Sequence, residues 1–293
     1  MRILVALDTN PYSEYVVHEV AKLAMNTWAD VTLLGVESRK TAFSPDEARS
    51  LRDLPTVKKL REFREEFLSY FQDESISPYA IKRWDYELVD RGKGVWEEMC
   101  VCKGMKDLRV KIRFGQPTKQ IIAEAVEEES DLVVLGCSKG QRCTWEQDRN
   151  APEKIVKGAP CSVLVVKEEK KPDKIVCCLD HDSVSQESLE LINQMVTLHQ
   201  TDLTLVGLTE SDQLKEEVDR RMKQVLQYYT AQKIRAWVSV VDVSMLDRFV
   251  ADAAEKALIA LWMGPRSLIG KFFSSDRVGR LVRDAQSSVL ILR

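Results

Sequence analysis

The sequence has no apolar run long enough to cross a membrane, and no leader is read ahead of its first strand-like segment. The cytoplasm is therefore the expected compartment. Charge of one sign is not in excess. A net charge of −3 over 293 residues offers no bulk attraction to nucleic acid. Histidine is scarce, and the three present, His18, His181 and His199, are too scattered to suggest a metal site or a catalytic triad. His181 alone stands near possible chemistry, directly after Asp180. No Cys-x-x-Cys pair occurs, and no serine sits in a nucleophile-elbow context. The seven cysteines are an odd number and several fall in strand-like runs, so reduced thiols are expected.

What is present is an echo. Arg2–Asp8 (RILVALD) returns as Lys174–Asp180 (KIVCCLD), and Asp30–Val36 (DVTLLGV) returns as Asp202–Leu208 (DLTLVGL) at the same offset. Arg2 to Val36 therefore aligns on its copy without a gap. Near the repeat ends, Ala159–Val166 returns as Ala285–Leu292. Each copy is long enough to be a domain, so a whole domain has been duplicated. With 44% apolar and 30% charged residues, the composition is that of a globular protein.

In repeat one, Ile3–Leu7, Val31–Val36, Leu108–Phe114, Leu132–Leu135 and Val163–Val166 read as strands. Between them, Val16, Val17, Val20, Leu23 and Ala24 fall at helical spacing. Thr118 is the expected cap of a helix carrying Ile121, Ile122, Ala125 and Val126. Asn150 with Glu153 forms a capping-box pattern ahead of Ile155 and Val156. Repeat two follows with strands at Ile175–Leu179, Leu203–Leu208, Ile234–Val241, Leu258–Met263 and Val289–Leu292, and with Ser244 and Asp247 as expected caps. Alternation of strand and helix predicts α/β domains with parallel sheets covered on both faces.

The division is residues 1–167 for the first domain, 168–173 for a charged linker, and 174–293 for a shorter, more degenerate second domain. The first domain carries an insert at about 39–107. Ser44 to Phe71 reads as a helix with Leu60, Phe63, Phe67 and Phe71 along one side. Tyr79 to Cys102 reads as a second, with Trp84, Leu88, Val95, Trp96 and Met99. Apolar residues at helical spacing are usually core, so these aromatics are expected to pack the insert onto its own domain. The alternatives are a lid over the cleft, with Phe63, Phe67, Trp84 or Trp96 inward, or an exposed docking patch.

The strand ending in Asp8, the strand Asp131–Gly136, and Glu153–Val166 (EKIVKGAPCSVLVV) together resemble the universal stress protein family. The likeness spans both repeats apart from the insert and is weaker in the second. It implies two tandem, doubly wound, Rossmann-like domains, each with a five-stranded parallel sheet. It further implies that they are pseudo-two-fold related, with Val163–Val166 pairing with Val289–Leu292.

The resemblance also implies where a nucleotide would bind. Family members that hold ATP carry a loop after the fourth strand: Gly, two residues, Gly, nine residues, then Gly-Ser or Gly-Thr. Glycines let backbone amides approach phosphates, and the following helix points its positive end at them. Residues closing strands one and two meet the ribose and adenine at the switch point of the sheet. Repeat one keeps Asp8, Val36 and Gly136. Lys139 stands at the second glycine, with Gly140 one step late, and Arg149-Asn150 replaces Gly-Ser. The candidate nucleotide site is thus Asp8, Val36, Gly136, Lys139, Gly140 and Asn150. Repeat two keeps Asp180, Leu208 and Gly264, but Ser267 replaces the second glycine and Ser275-Asp276 the last pair. Asp276 would repel a phosphate.

Other groups carry less. Asp8 and Asp180 are open to two readings, cleft acids or buried acids that cap local amides. Cys137 and Cys143 flank the degenerate loop and could come close; buried or loop thiols are the favoured reading and a redox switch the alternative, whereas Cys161, Cys177 and Cys178 read as core packing. Cys100 and Cys102 diverge on a helix. Arg266, Arg277, Arg280 and Arg283 read as a solvated basic face, with an anion site as the alternative. The favoured reading is a non-catalytic stress or regulatory protein with no bound cofactor. It would act through an unidentified protein partner or a homodimer of tandem chains, without nucleic acid or membrane. An ATP-binding module in repeat one, with nucleotide-dependent assembly and at most slow hydrolysis, is the alternative. An enzyme of the wider adenine-nucleotide hydrolase-like fold is the weakest, since no catalytic constellation is visible.

Overall fold

The computed structural model describes residues 1–38, 51–73, 77–79, 87–99, 104–138, 145, 148–167, 171–179, 184–209, 216–263 and 274–293. The chain divides into two compact units. Met1–Ser138 and Arg142–Glu169 build the first, and Lys170–Arg293 is the bulk of the second.

Unit one runs β1 (Arg2–Leu7), α1 (Tyr12–Thr27), β2 (Asp30–Glu37), α2 (Pro55–Ser69), β3 (Glu87–Gly92), β4 (Val95–Met99), β5 (Leu108–Phe114), α3 (Pro117–Glu127), β6 (Leu132–Gly136), α4 (Ala151–Gly158) and β7 (Ser162–Val166). Its strand order is β7-β6-β1-β2-β5-β4-β3. The first five of these pair in parallel, and β4 and β3 add on antiparallel. β1, β6 and β7 are almost wholly buried apolar runs, as a sheet covered on both faces requires. Helices α1 and α2 pack together, whereas α3 packs against α4.

Unit two runs β8 (Lys174–Cys178), α5 (Gln186–His199), β9 (Asp202–Thr209), α6 (Glu216–Ala231), β10 (Ala236–Asp242), a 3-10 turn at Val243–Met245, α7 (Leu246–Ala253), β11 (Leu258–Trp262), α8 (Ser275–Asp284) and β12 (Val289–Leu292). Its strands are all parallel in the order β10-β9-β8-β11-β12. The duplication persists to single dihedrals. Helices α1 and α5 both end on a left-handed, non-glycine cap, Trp28 at φ 49° and Gln200 at φ 47°, at matching positions in the two repeats.

The insert differs from the sequence expectation. The first expected helix is present as α2, and Phe63 and Phe67 are buried on it. It is not foreign to the fold, because α6 occupies the same place in unit two. Thr56, Leu60, Phe63 and Phe67 are buried at the spacing of Val218, Met222, Val225 and Tyr229. The second expected helix, Tyr79 to Cys102, is corrected: it contains the β3–β4 hairpin. Leu88, Val95 and Trp96 are buried as strand residues. The turn forces this, because Gly92, Lys93 and Gly94 all have positive φ, at 81°, 52° and 75°. Trp84, Cys100 and Cys102 lie outside the described residues.

Two of the residues offered for a lid, Phe67 and Trp96, do not reach the cleft. Tyr79 packs edge to face on both Phe67 and Phe71, and its hydroxyl donates to the Ala29 carbonyl at 2.5 Å. Ala29 precedes β2, so this cluster sits at the end of the strand opposite to the cleft. Trp96 pairs with Ile112 within the sheet. The hairpin is fastened to α2 by charge: Glu98, 1% exposed, accepts from Arg61 at 2.5 Å and from Arg64.

Candidate nucleotide cleft

β1 lies between β2 and β6, and the chain leaves it in opposite directions to reach them, which makes the carboxyl ends of these strands the switch point of unit one. Three expected site residues converge there. Asp8 follows the last residue of β1, Val36 is the penultimate residue of β2, and Gly136 closes β6. Asn150 is the N-cap residue of α4. Lys139 and Gly140 lie outside the described residues.

Their contacts are local. Asp8 is 7% exposed. Its Oδ1 accepts from the Asn10 amide at 3.0 Å, an Asx turn, and from Ser13 Oγ at 2.9 Å. Its Oδ2 accepts from Asn10 Nδ2 at 2.8 Å and from the Tyr12 hydroxyl. The carboxylate thus fixes the entry of α1. This supports the reading of Asp8 as a buried acid capping its own loop.

Gly136 is required by packing. A Cβ there would lie 2.6 Å from Tyr12 Cδ2, 2.9 Å from Val16 Cγ2 and 3.1 Å from the Tyr12 carbonyl. The first turn of α1 is pressed onto the end of β6. Gly136→Ala is expected to cost about 1–3 kcal/mol by overpacking. In a Tyr12→Ala background the part of that penalty due to the ring should vanish, while the Val16 and Tyr12 carbonyl contacts remain. Chemical denaturation of the four variants checks it; equal penalties in both backgrounds would mean Tyr12 is not the constraint.

At the other end of the cleft the expected capping box is absent, since the Asn150 side chain makes no cap bond to α4. Asp148 stands just ahead of the helix, and the sequence reading missed it. Its carboxylate, 8% exposed, accepts from Thr118 Oγ1 at 2.6 Å and Lys154 Nζ at 2.7 Å, and its backbone carbonyl receives the Ala151 amide at 2.8 Å. Burial pushes its carboxyl up. The hydrogen bonds from Lys154 and Thr118, the Lys154 charge and the Asn150 amide outweigh this and hold it below the usual range. An anion supplied by the chain therefore sits against the positive end of α4, where the resemblance puts phosphate. The same bond shows that Thr118 does not cap α3. That helix begins at Pro117 after Gln116, with no side-chain cap. Among the described residues of the cleft, Asp8 is satisfied by its own loop and Asp148 places a carboxylate beside the start of α4.

In unit two, Asp180, His181, Gly264, Arg266 and Ser267 lie outside the described residues. Ser244 and Asp247 do not cap α7, which has no side-chain cap; Asp242 caps the 3-10 turn ahead of it, accepting from the Ser244 amide at 2.8 Å. The Arg277 guanidinium is 3.3 Å from Asp247, and Arg277 and Arg280 line an open cavity of about 340 Å³ together with Asp247, Glu255 and Asp284. Three carboxylates beside two guanidinium groups leave no net attraction for an anion. Cys177 and Cys178 are buried, as expected, and burial pushes the Cys178 thiol up to about 12. Cys137 departs from the reduced-thiol expectation, because it is disulfide-bonded. Cys143 lies outside the described residues. Among the described residues no helix is long and apolar enough to cross a membrane.

The architecture is that of a Rossmann-like protein with two parallel-sheet units and a cleft at the switch point. The sequence profile of the universal stress protein family matches residues 1–167, and the chain belongs to that family. A Staphylococcus aureus (strain USA300) protein named as a universal stress protein is 26% identical over 172 residues, covering 58% of this chain and 86% of its own. A universal stress protein from Archaeoglobus fulgidus superposes with a TM-score of 0.59 at 13% identity, covering 100% of this chain and 96% of its own. A protein of Pseudomonas aeruginosa (UCBPP-PA14), also named as a universal stress protein, superposes at 0.56 with 15% identity, covering 99% of this chain and 92% of its own. At these identities the two structures speak for the fold alone.

Proposed function

We propose that this chain is a non-catalytic, cytoplasmic regulatory member of the family that works through partner binding or assembly and does not use nucleotide in unit one. The observation that carries this reading is the internal occupation of both ends of the cleft. Asp8 is held by Asn10, Tyr12 and Ser13, and Asp148 lies at the start of α4. A nucleotide reaching for the Asp8 carboxylate would compete with Asn10, Tyr12 and Ser13, and one reaching the start of α4 would meet the Asp148 charge.

The expected result is that ATP with magnesium leaves the melting temperature of the purified chain unchanged. A ligand present at a hundred times its dissociation constant would add about 2.7 kcal/mol, which such a scan resolves easily. Denatured protein should likewise release no nucleotide on anion exchange. A shift that disappears in Asp8→Ala would replace this reading with an ATP-binding module in unit one.

A further inference from the structure

The two units treat one edge of their sheets differently. β2 and β9 are equivalent strands, with Val31 matching Leu203. Val31 pairs with Leu108 and Leu203 pairs with Ala236. Leu108–Phe114 of β5 is therefore position for position the counterpart of Ala236–Asp242 of β10. In unit one the outer edge of β5 is occupied, because β4 runs antiparallel along Val110–Arg113. The matching residues in unit two are Val238, Ser239, Val240 and Val241. Among the described residues no strand pairs with them, and β10 ends the order of its unit.

That edge lacks the usual protections. From Ala236 to Val241 it has no charge, no proline and no bulge. Trp237 is 51% exposed, Val240 49% and Met245 49%. Among the described residues these are the exposed large hydrophobic side chains of unit two, and they fall on one strand and the turn that follows it.

We propose that the outer edge of β10 is an assembly surface whose partner is the same edge of a second copy of this chain, paired antiparallel across a two-fold axis. This names the partner within the assembly reading above and rests on it; ATP binding and dimer formation are read separately, so either can fail without the other. Charge selects the antiparallel sense. The N-terminal end of β10 carries Lys233 and Arg235, both exposed, and the C-terminal end carries Asp242. An antiparallel copy sets cations beside anions at both ends, whereas a parallel one would set like beside like. The Arg235 guanidinium already meets Asp202 at 2.9 Å yet remains 77% exposed.

Symmetry then limits the register. A two-fold axis normal to the sheet keeps each side chain on its own face, so only residues of one face can stand opposite each other. With Ser239 on the axis, Trp237 stands opposite the second copy's Val241 and Val238 opposite its Val240. The smallest side chain of the run lies where the two copies meet themselves. Trp237 then covers, and is covered by, a β-branched neighbour, the kind of cross-strand pair that stabilises a sheet.

Sedimentation velocity on the full chain tests this from about 1 to about 100 μM, the range that resolves a micromolar dissociation constant. The expected result is a monomer–dimer equilibrium. Trp237→Lys combined with Val240→Lys should raise the dissociation constant at least about tenfold with the melting temperature unchanged, since both side chains are half exposed. Ser239→Cys should form a disulfide-linked dimer under mild oxidation, with the wild-type chain as control, because directly opposed residues on an antiparallel pair come within disulfide range. A chain that stays monomeric throughout, including one whose edge is filled by an unrelated extended peptide, overturns the proposal. So does a dimer indifferent to the double lysine variant, or a Ser239→Cys chain that dimerises without cross-linking.

Discussion

Glu124→Ala is expected to lower the unfolding free energy by about 3–5 kcal/mol, the cost of breaking a buried charge network by removing one partner. Glu124 is 0% exposed and bonds Lys111 Nζ at 2.9 Å and the Arg113 guanidinium. Lys111 and Arg113 point from β5 toward α3 and are 9% and 5% exposed. Their remaining charged partners, Glu128 on Lys111 and Glu127 on Arg113, each at 2.5 Å, lie nearer solvent and do not replace a carboxylate seated between the two cations. Burial pulls the Lys111 ammonium down, but hydrogen bonds to Glu128 and Glu124 outweigh it and hold its pKa above the ordinary 10.5. The folded value is the higher one, so this stabilisation is complete at neutral pH and is lost only as pH rises through that range. Urea denaturation at pH 7 measures the difference. A loss under about 1 kcal/mol would mean that water reaches the pair in solution.

Tyr229→Ala should cost a similar amount, about 3–5 kcal/mol, in unit two. Tyr229 is 0% exposed near the end of α6, packs edge to face on Tyr228 at 5.1 Å, and donates its hydroxyl to the Leu189 carbonyl on α5 at 3.0 Å. Burial pushes this phenol well up from its usual value, so it remains a donor at any working pH. Tyr229→Phe keeps the ring and loses only the bond, and about 1 kcal/mol is expected. The two variants separate packing from hydrogen bonding. Equal midpoints in urea for both would place the whole effect in the hydroxyl and contradict the packing argument.

The sheets of both units were legible because a strand covered on both faces must be a nearly unbroken apolar run. Ile3–Leu7, Leu132–Leu135 and Val163–Val166 admit few other readings. The hairpin was not legible from the same signal. Leu88, Val95, Trp96 and Met99 fit helical spacing as well as strand alternation, and the deciding evidence lay in Gly92-Lys93-Gly94, where two glycines in three residues announce a turn. At the cleft, position was readable and role was not. Asp8 and Gly136 stand where a nucleotide-binding relative needs them, yet what they touch depends on Tyr12, which reaches both from the next helix. A short-range pattern was available, since Asp8, Asn10 and Ser13 are spaced for an Asx turn and a reciprocal side-chain bond. Asp148 had no comparable local signal. Its partners, Thr118 and Lys154, come from α3 and α4, and only the folded chain brings them together.

The hairpin gives duplication a limit. A chain made of two like halves would offer two sticky margins, and each copy could hold hands with two neighbours, so growth would run on as a fibre. β3 and β4 spend one of those margins and present a different one to solvent. The new outer strand carries Glu87, Asp90 and Arg91 and breaks register between Asp90 and Gly92, features that discourage further addition. With one half sealed and the other open, the pairing proposed above would stop at two copies. The few residues from Glu87 to Met99 thus act as an end-stop, and a chain deprived of them would be expected to lengthen into polymers.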